Sequence, residues 1–346
     1  MSISAPLAAQ NHDDVDIKGI AFSHILDSYG FHITEIGDRT ISVPLPVIVK
    51  SRDRGWFIFS SSKLHHGEVS YKGFSIAKDG EPYAYRVVET LPDGTIVKPL
   101  DLSVTKAVFS LILTVWLLCW FFISIARKYE KNPRKAPSGS QGLIEPVILF
   151  ILEGTIKASL GDAYKKYAPY LLTVFFFILA LNISGMIPIF PFGANVSGNI
   201  VIPMFLALLS FLVICASSTG HYWKDVFWPS SAPLWLKFPI PIMQFVELMS
   251  NLMKPVVLML RLFANMMAGH LLVIALISLI FVLRMFGVAV SGSAALVSVA
   301  ITVFVTAIHL MIAAIQAYVF TLLTAVFINM ARDKGDTDKK MDTINV

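Results

Sequence analysis

A chain of 346 residues that is 55% hydrophobic and only 15% charged, with a mean hydropathy of +0.69, is too apolar for a water-soluble globule and reads as a polytopic membrane protein. Its net charge of +5 is not a nucleic-acid signal, because the basic residues cluster beside apolar runs, the pattern that orients membrane proteins. The two cysteines, Cys119 and Cys215, both sit in apolar sequence and argue against a disulfide framework.

Residues 1–103 differ in composition from everything after them and predict a small β-rich extramembrane domain. Residues 1–10 lack the basic start and long apolar core of a signal peptide, although 7–9 resembles a weak cleavage-site remnant. Strands are expected at 39–50, 55–61, 73–77, 83–89 and 95–98, with tight turns at 78–80 (Lys-Asp-Gly) and 92–94 (Pro-Asp-Gly). His24, His32, His65 and His66 match no standard zinc spacing and are expected in ordinary polar loops.

The uncharged runs set the membrane part, 104–332. Residues 107–126, 167–223, 262–283 and 285–331 carry no Asp, Glu, Lys or Arg, and a crossing needs about 20 apolar residues. About five crossings are therefore expected in an all-α polytopic domain. The first, 105–126, is followed by Arg127, Lys128, Lys131, Arg134 and Lys135 against a single Glu130, which places that end in the cytoplasm. The N-terminal domain is then periplasmic, at a bacterial inner membrane. Residues 143–160 carry Glu145, Glu153 and Lys157 and predict an interfacial or re-entrant helix. A crossing at 168–189 ends in polar, helix-breaking sequence around Asn182, Ser184 and Pro188. Asn195 follows in an outer turn, and Asn199 opens the next span, to about 218. These asparagines either line an aqueous entry or serve helix ends. Residues 221–241, with Trp223, Trp228 and Trp235, suit a headgroup-level loop.

Two long helices follow, at 242–284 and 293–332, ahead of a cytoplasmic tail, 333–346. Each exceeds a hydrocarbon core, since forty-odd residues reach about 60 Å, so the first must tilt or kink, with Pro255 the obvious place. Arg261 lies in strongly apolar sequence. A charge there costs roughly 3 to more than 10 kcal/mol, which makes it a functional-site hypothesis by default. Asn265 lies one turn away on the same face. With the hairpin turn at 287–292, residues at equal depth have numbers summing to about 578. Arg261 is then level with Gln316, and His270 with His309. Two intramembrane histidines at one depth suggest a proton relay or a shared ion.

Lys254-Pro255, the run Arg-Leu-Phe-Ala-Asn-Met-Met-Ala-Gly at 261–269, and Gln-Ala-Tyr-Val-Phe at 316–320 resemble subunit a of the F-type ATP synthase, over most of 100–332. Residues 22–27 and 41–46 resemble the amino-terminal region of the longer bacterial forms. The resemblance implies a non-catalytic subunit in rotary proton translocation. Arg261 would be the stator arginine facing the rotating ring of c subunits, with Asn265 and Gln316 beside it. Glu247 would line a cytoplasmic half-channel. His270 and His309 would line an outer one, with Asn182, Asn195 and Asn199 at its mouth. The implied partners are the c-ring, the b subunits of the peripheral stalk, other synthase subunits and membrane lipid. Nucleic acid is not among them.

In one respect the sequence departs from the family pattern. Members often carry one Glu and one His where this chain has His270 and His309, so a bridging water, a single imidazolium or a bound metal between them all stay open. The rival function is a self-contained ion-coupled secondary transporter, but no internal repeat links 107–218 with 242–332. A metalloenzyme at His270 and His309 lacks a third ligand. There is no glycine-rich phosphate loop, so ATP chemistry belongs to partner subunits and no cofactor is expected.

Overall fold

The computed structural model describes residues 27–333 apart from 37–38, 53, 68, 78–80, 82, 92, 132–135, 138, 188–189, 228–241 and 284–287. The turn at 78–80, His24, most of the 22–27 segment, Arg134, Lys135, Trp228, Trp235 and nearly all of the C-terminal tail lie outside the described residues, as do the side chains of His32, His65 and His66.

Among the described residues eight short strands precede the first long helix: β1 (Gly30–Ile36), β2 (Arg39–Pro44), β3 (Pro46–Ser51), β4 (Gly55–Ser60), β5 (Phe74–Ile76), β6 (Val87–Thr90), β7 (Ile96–Val97) and β8 (Leu100–Asp101). They form three antiparallel sheets, β1-β2, β4-β3-β8 and β5-β6-β7. The single strand expected over 39–50 is two, divided at Leu45 between Pro44 and Pro46. Proline has no amide hydrogen for a ladder, so the chain changes sheets there. The turn after β6 is closed by Leu91 N–H donating to the Thr95 carbonyl, 3.0 Å, with Gly94 at φ 74°. Alternation along β3 sends Val47 and Val49 inward onto Phe59, Leu64, Phe74 and Val87. Beside this core, Glu89 is buried and accepts hydrogen bonds from Arg54 Nε (3.1 Å) and Nη2 (2.6 Å) and from Ser51 Oγ (2.7 Å).

The strands hand over directly to α1 (Lys106–Lys131). Asp27 Oδ1 accepts the Ala107 N–H at 3.0 Å, and the Ser28 carbonyl accepts that of Lys106 at 2.8 Å. Residues 80 positions away in sequence thus satisfy the open donors of the helix start. Phe31 packs edge-on against Phe109 and Phe190.

Helix α2 (Ser140–Ile151) continues through a π-helical turn, Leu152–Lys157, and two short turns into α3 (Tyr164–Met186). Then come α4 (Val201–Ser217), the short α5 (Gly220–Phe227), α6 (Ile242–Leu283) and α7 (Val288–Asp333). Among the described residues four helical stretches, Lys106–Lys131, Ser140–Met186, Gln244–Leu276 and Val297–Arg332, are long and apolar enough to cross a membrane. The 17 residues of α4, about 26 Å, make a shorter fifth. The chain is a multi-pass membrane protein.

Helix α3 is central: Leu171, Phe175, Ile178 and Leu181 are buried on successive turns. On α7 the buried stripe Ala313, Ala317, Phe320, Thr324, Ile328 and Ala331 follows the helical repeat. It packs against α3, α6 and α4. Small side chains bring these helices close where the hydrophobic effect offers no drive. The turn expected at 287–292 is helical from Val288 onward, because α7 already begins there and includes Gly292.

Candidate functional site

Helix α6 presents two different faces at mid-depth. Leu258, Leu262, Met266 and Gly269 are buried, whereas Val257, Leu260, Arg261, Ala264 and Ala268 are exposed. Arg261 therefore stands on the outward face, among small and apolar neighbours. Among the described residues it makes no hydrogen bond or ion pair, and Asn265 on the next turn donates nothing to it. Gln316 is turned inward instead, buried on α7, and its Nε2 has no partner. The structure thus separates these two by face.

On the inner face, His309 on α7 fits against the bare Cα of Gly269. A Cβ added at Gly269 would lie 2.6 Å from His309 Cδ2 and 2.8 Å from Nε2. His309 Nδ1 is 3.1 Å from the Val305 carbonyl. A carbonyl only accepts, so Nδ1 carries the donated proton and Nε2 is the ring nitrogen left facing Gly269. His270 follows Gly269 directly. The expected level of the two histidines is met by this contact, since 269 and 309 sum to 578, and the Ser298 Oγ–Leu276 carbonyl bond, 2.8 Å, holds the hairpin further along.

His270 reaches towards α3 and the loop after it. A Cβ on Gly185 would meet Met266 Cε, and lie 3.3 Å from the Ala194 carbonyl and 3.8 Å from His270 Nε2. One turn earlier, Asn182 is buried and accepts from Ser197 Oγ at 3.1 Å. Asn195 donates from Nδ2 to Met267 Sδ at 3.4 Å. Three buried polar atoms here have no protein partner: Asn182 Nδ2, Asn195 Oδ1 and His270 Nε2. Donors and acceptors left open in this way suit water, which can bond to all of them. Asn199 plays a different part, accepting the Val201 N–H at 3.3 Å where α4 begins.

Towards the other end of α6, Glu247 is half-buried. One turn on, Asn251 Oδ1 accepts from both Tyr222 Oη (2.7 Å) and Lys254 Nζ (2.6 Å), and the ammonium lies 5.2 Å from the Phe327 ring centroid. Asn251 and Tyr222 were not singled out from sequence, although Asn251 shares a helix face with Glu247 and Lys254. Gly185 and Gly269 also escaped notice as site residues. A glycine inside an apolar helix is the signal that marks such close approaches. Among the described residues no group of three His, Cys, Asp or Glu could hold a metal, so His270 and His309 have no third ligand of these types there.

Residues 108–329 match the ATP synthase A chain family, and 20–102 match a domain family of unknown function. ATP synthase subunit a of Chlorobium phaeobacteroides is 35% identical over 283 residues, covering 77% of this chain and 78% of the relative. That of Chloroherpeton thalassium is 35% identical over 245 residues, 68% of this chain and 69% of the relative. That of Myxococcus xanthus is 37% identical over 244 residues, 68% of this chain and 75% of the relative.

Proposed function

The chain belongs to the ATP synthase A chain family, and from that premise we propose that it is the stator of the Fo motor, with Arg261 facing a rotating ring of c subunits. The observation that carries this reading is the placement of Arg261: a charge at membrane depth, outward-facing and unpaired among the described residues. Such a charge needs an opposite charge from outside the chain. A carboxylate on a passing ring supplies one, and the guanidinium keeps that carboxylate ionised while it is opposite. The carboxylate regains a proton only after it has moved to a water-reached site.

Two offset half-channels deliver and remove the proton. The outer one runs through Asn195, Asn182, His270 and His309, where the unpartnered amide and imidazole atoms supply its bonding groups. The inner one starts at Glu247 and ends beside Arg261, with Asn265 on the same helix and Gln316 on the neighbouring one. Each proton crossing 100 mV contributes about 2.3 kcal/mol, so several must pass for each ATP. In this reading residues 1–103 are an extramembrane domain on the periplasmic side, 104–332 the channel and stator, and 333–346 a cytoplasmic tail. The b subunits hold the chain against the torque.

The test is cysteine cross-linking in active membranes, with Cys119 and Cys215 replaced by alanine. Cysteines at Val257, Ala264 and Ala268 on the exposed face should cross-link to the carboxylate-bearing helix of the ring. During turnover those links should spread over all ring subunits. Leu258 and Leu262, on the buried face, should give none. Absence of cross-links at all five positions would hand the function to a transport site within this chain. Arg261→Ala should abolish proton-driven ATP synthesis while leaving the subunit assembled.

A further inference from the structure

The β4-β3-β8 sheet buries one face in the domain core, and among the described residues nothing covers the other. On the open face Trp56 is 53% exposed, Ile58 74%, Leu100 56% and Leu102 60%, with Ile48 half-buried between them. The strand register joins them into one patch. Ile48 pairs with Ile58, Lys50 with Trp56 and with Leu100, and Leu102 N–H donates to the Ile48 carbonyl at 2.9 Å. Contiguous apolar area on an extramembrane domain marks an interaction site.

We propose that this face lies on the lipid bilayer, in the headgroup layer of the leaflet that α1 enters. Three observations select lipid as the occupant. First, the chain is too short to lift the patch away. Residues 107–126 carry no charge and span about 30 Å as a helix, which matches a hydrocarbon core and puts Lys106 at its boundary. Leu102 lies four residues before Lys106, so at most about 14 Å separates them.

Second, polarity along the patch follows the membrane normal. The end nearest α1 carries no charge: Val104 N–H bonds the Pro46 carbonyl, Pro46 pairs with Ser60, and the aliphatic Ile48, Ile58 and Leu102 come next. The far end carries the ammonium of Lys50, 5.6 Å from the Trp56 ring centroid. A tryptophan with a lysine beyond aliphatic side chains is the composition of the membrane–water interface. A protein partner gives no reason for the charge to sit on the end away from the span. Third, the surface is continuous with one already in lipid. The backbone runs from β8 into α1 through only four residues, 102–105, and Asp27 and Ser28 tie the domain to the first turn of α1. The domain is thereby an anchor lying beside the span, and four large apolar side chains stay out of water.

The experiment uses the chain assembled with its native partners in phosphatidylcholine–phosphatidylglycerol vesicles. Nitroxide labels are placed at Ile58→Cys and Leu102→Cys, with Lys63→Cys as the aqueous reference, in a background of Cys119→Ala and Cys215→Ala. Collision with oxygen, relative to a water-soluble nickel chelate, should be severalfold higher at 58 and 102 than at 63. Equal nickel collision at 58 and 63 would overturn the proposal by placing the face in water. Low collision with both reagents would overturn it by placing a protein there. A second readout leaves the cysteines native. Headgroup-proximal brominated lipid should quench the fluorescence of the wild type more than that of Trp56→Phe, and equal quenching would count against lipid contact.

Discussion

Gly269→Ala tests the geometry of the two-histidine site with one methyl group. The added carbon would lie 2.6 Å from His309 Cδ2 and 2.8 Å from Nε2. Carbon contacts are optimal near 3.5–4.0 Å, so the ring must withdraw by about 1 Å or turn. Turning gives up the Nδ1–Val305 carbonyl bond, worth about 0.5–1.5 kcal/mol. Overpacking of this kind costs about 1–3 kcal/mol, and alanine returns about 1 kcal/mol of helix propensity relative to glycine. With the lost bond included the net penalty is about 0.5–3.5 kcal/mol, the range of an ordinary core substitution, so the subunit is expected to assemble. Transfer of a proton is far less forgiving: a misplacement of about 1 Å costs roughly 100-fold in rate. The expected result is therefore normal subunit content by immunoblot and strongly reduced ATP synthesis in vesicles driven by an imposed proton gradient. Normal content with synthesis within a factor of two of wild type would refute the place of His309 in proton entry.

Three further outcomes follow from the N-terminal domain. Burial, together with the 2.5 Å hydrogen bond to Asp101, pushes the Tyr29 phenol well above its ordinary range. Its protonated form is favoured in the folded state, so stability is complete below about pH 10 and falls as the unfolded chain ionises first above it, by up to about 1.4 kcal/mol per pH unit. Limited proteolysis of the intact protein should show cleavage within 27–103 accelerating between pH 10 and 11, and Tyr29→Phe should flatten that dependence. Arg54→Met strands the buried Glu89 carboxylate. Breaking such a pair costs about 3–5 kcal/mol, and the half-exposed arginine puts the expected loss at the lower end. The same proteolysis should show the loss, with Arg54→Met/Glu89→Gln recovering most of it. Asp27→Ala removes the cap on Ala107 and costs about 1 kcal/mol, read as a roughly fivefold rise in hydrogen exchange at the start of α1.

The long helices were legible because bilayer and helix share one arithmetic. Uncharged runs at 107–126, 262–283 and 285–331 leave the backbone no alternative to internal hydrogen bonding, and the expected 242–284 became Ile242–Leu283. The hairpin turn was less legible. Gly287, Ser291 and Gly292 look like a break by soluble-protein habits. Without water competing for its backbone, Gly292 keeps its helical bonds inside α7, which starts at Val288. In the N-terminal domain the strands carry no such constraint. The two-residue β8 depends on a partner dozens of residues away, as when Lys50 pairs with Leu100, while β1 exists only by pairing with the neighbouring β2.

The sequence by itself determined that this chain crosses a membrane several times, which family it resembles, and that a lone arginine interrupts its apolar helices. Those properties are local: each depends on residue type and spacing along one element. Tertiary structure alone decided which way the polar groups turn. It set Arg261 outward and Gln316 inward, seated the His309 ring on Gly269, and left Asn182, Asn195 and His270 with open bonding atoms around one spot. Facing is a relation between helices, and a helix carries in its own sequence no record of which neighbour will cover it.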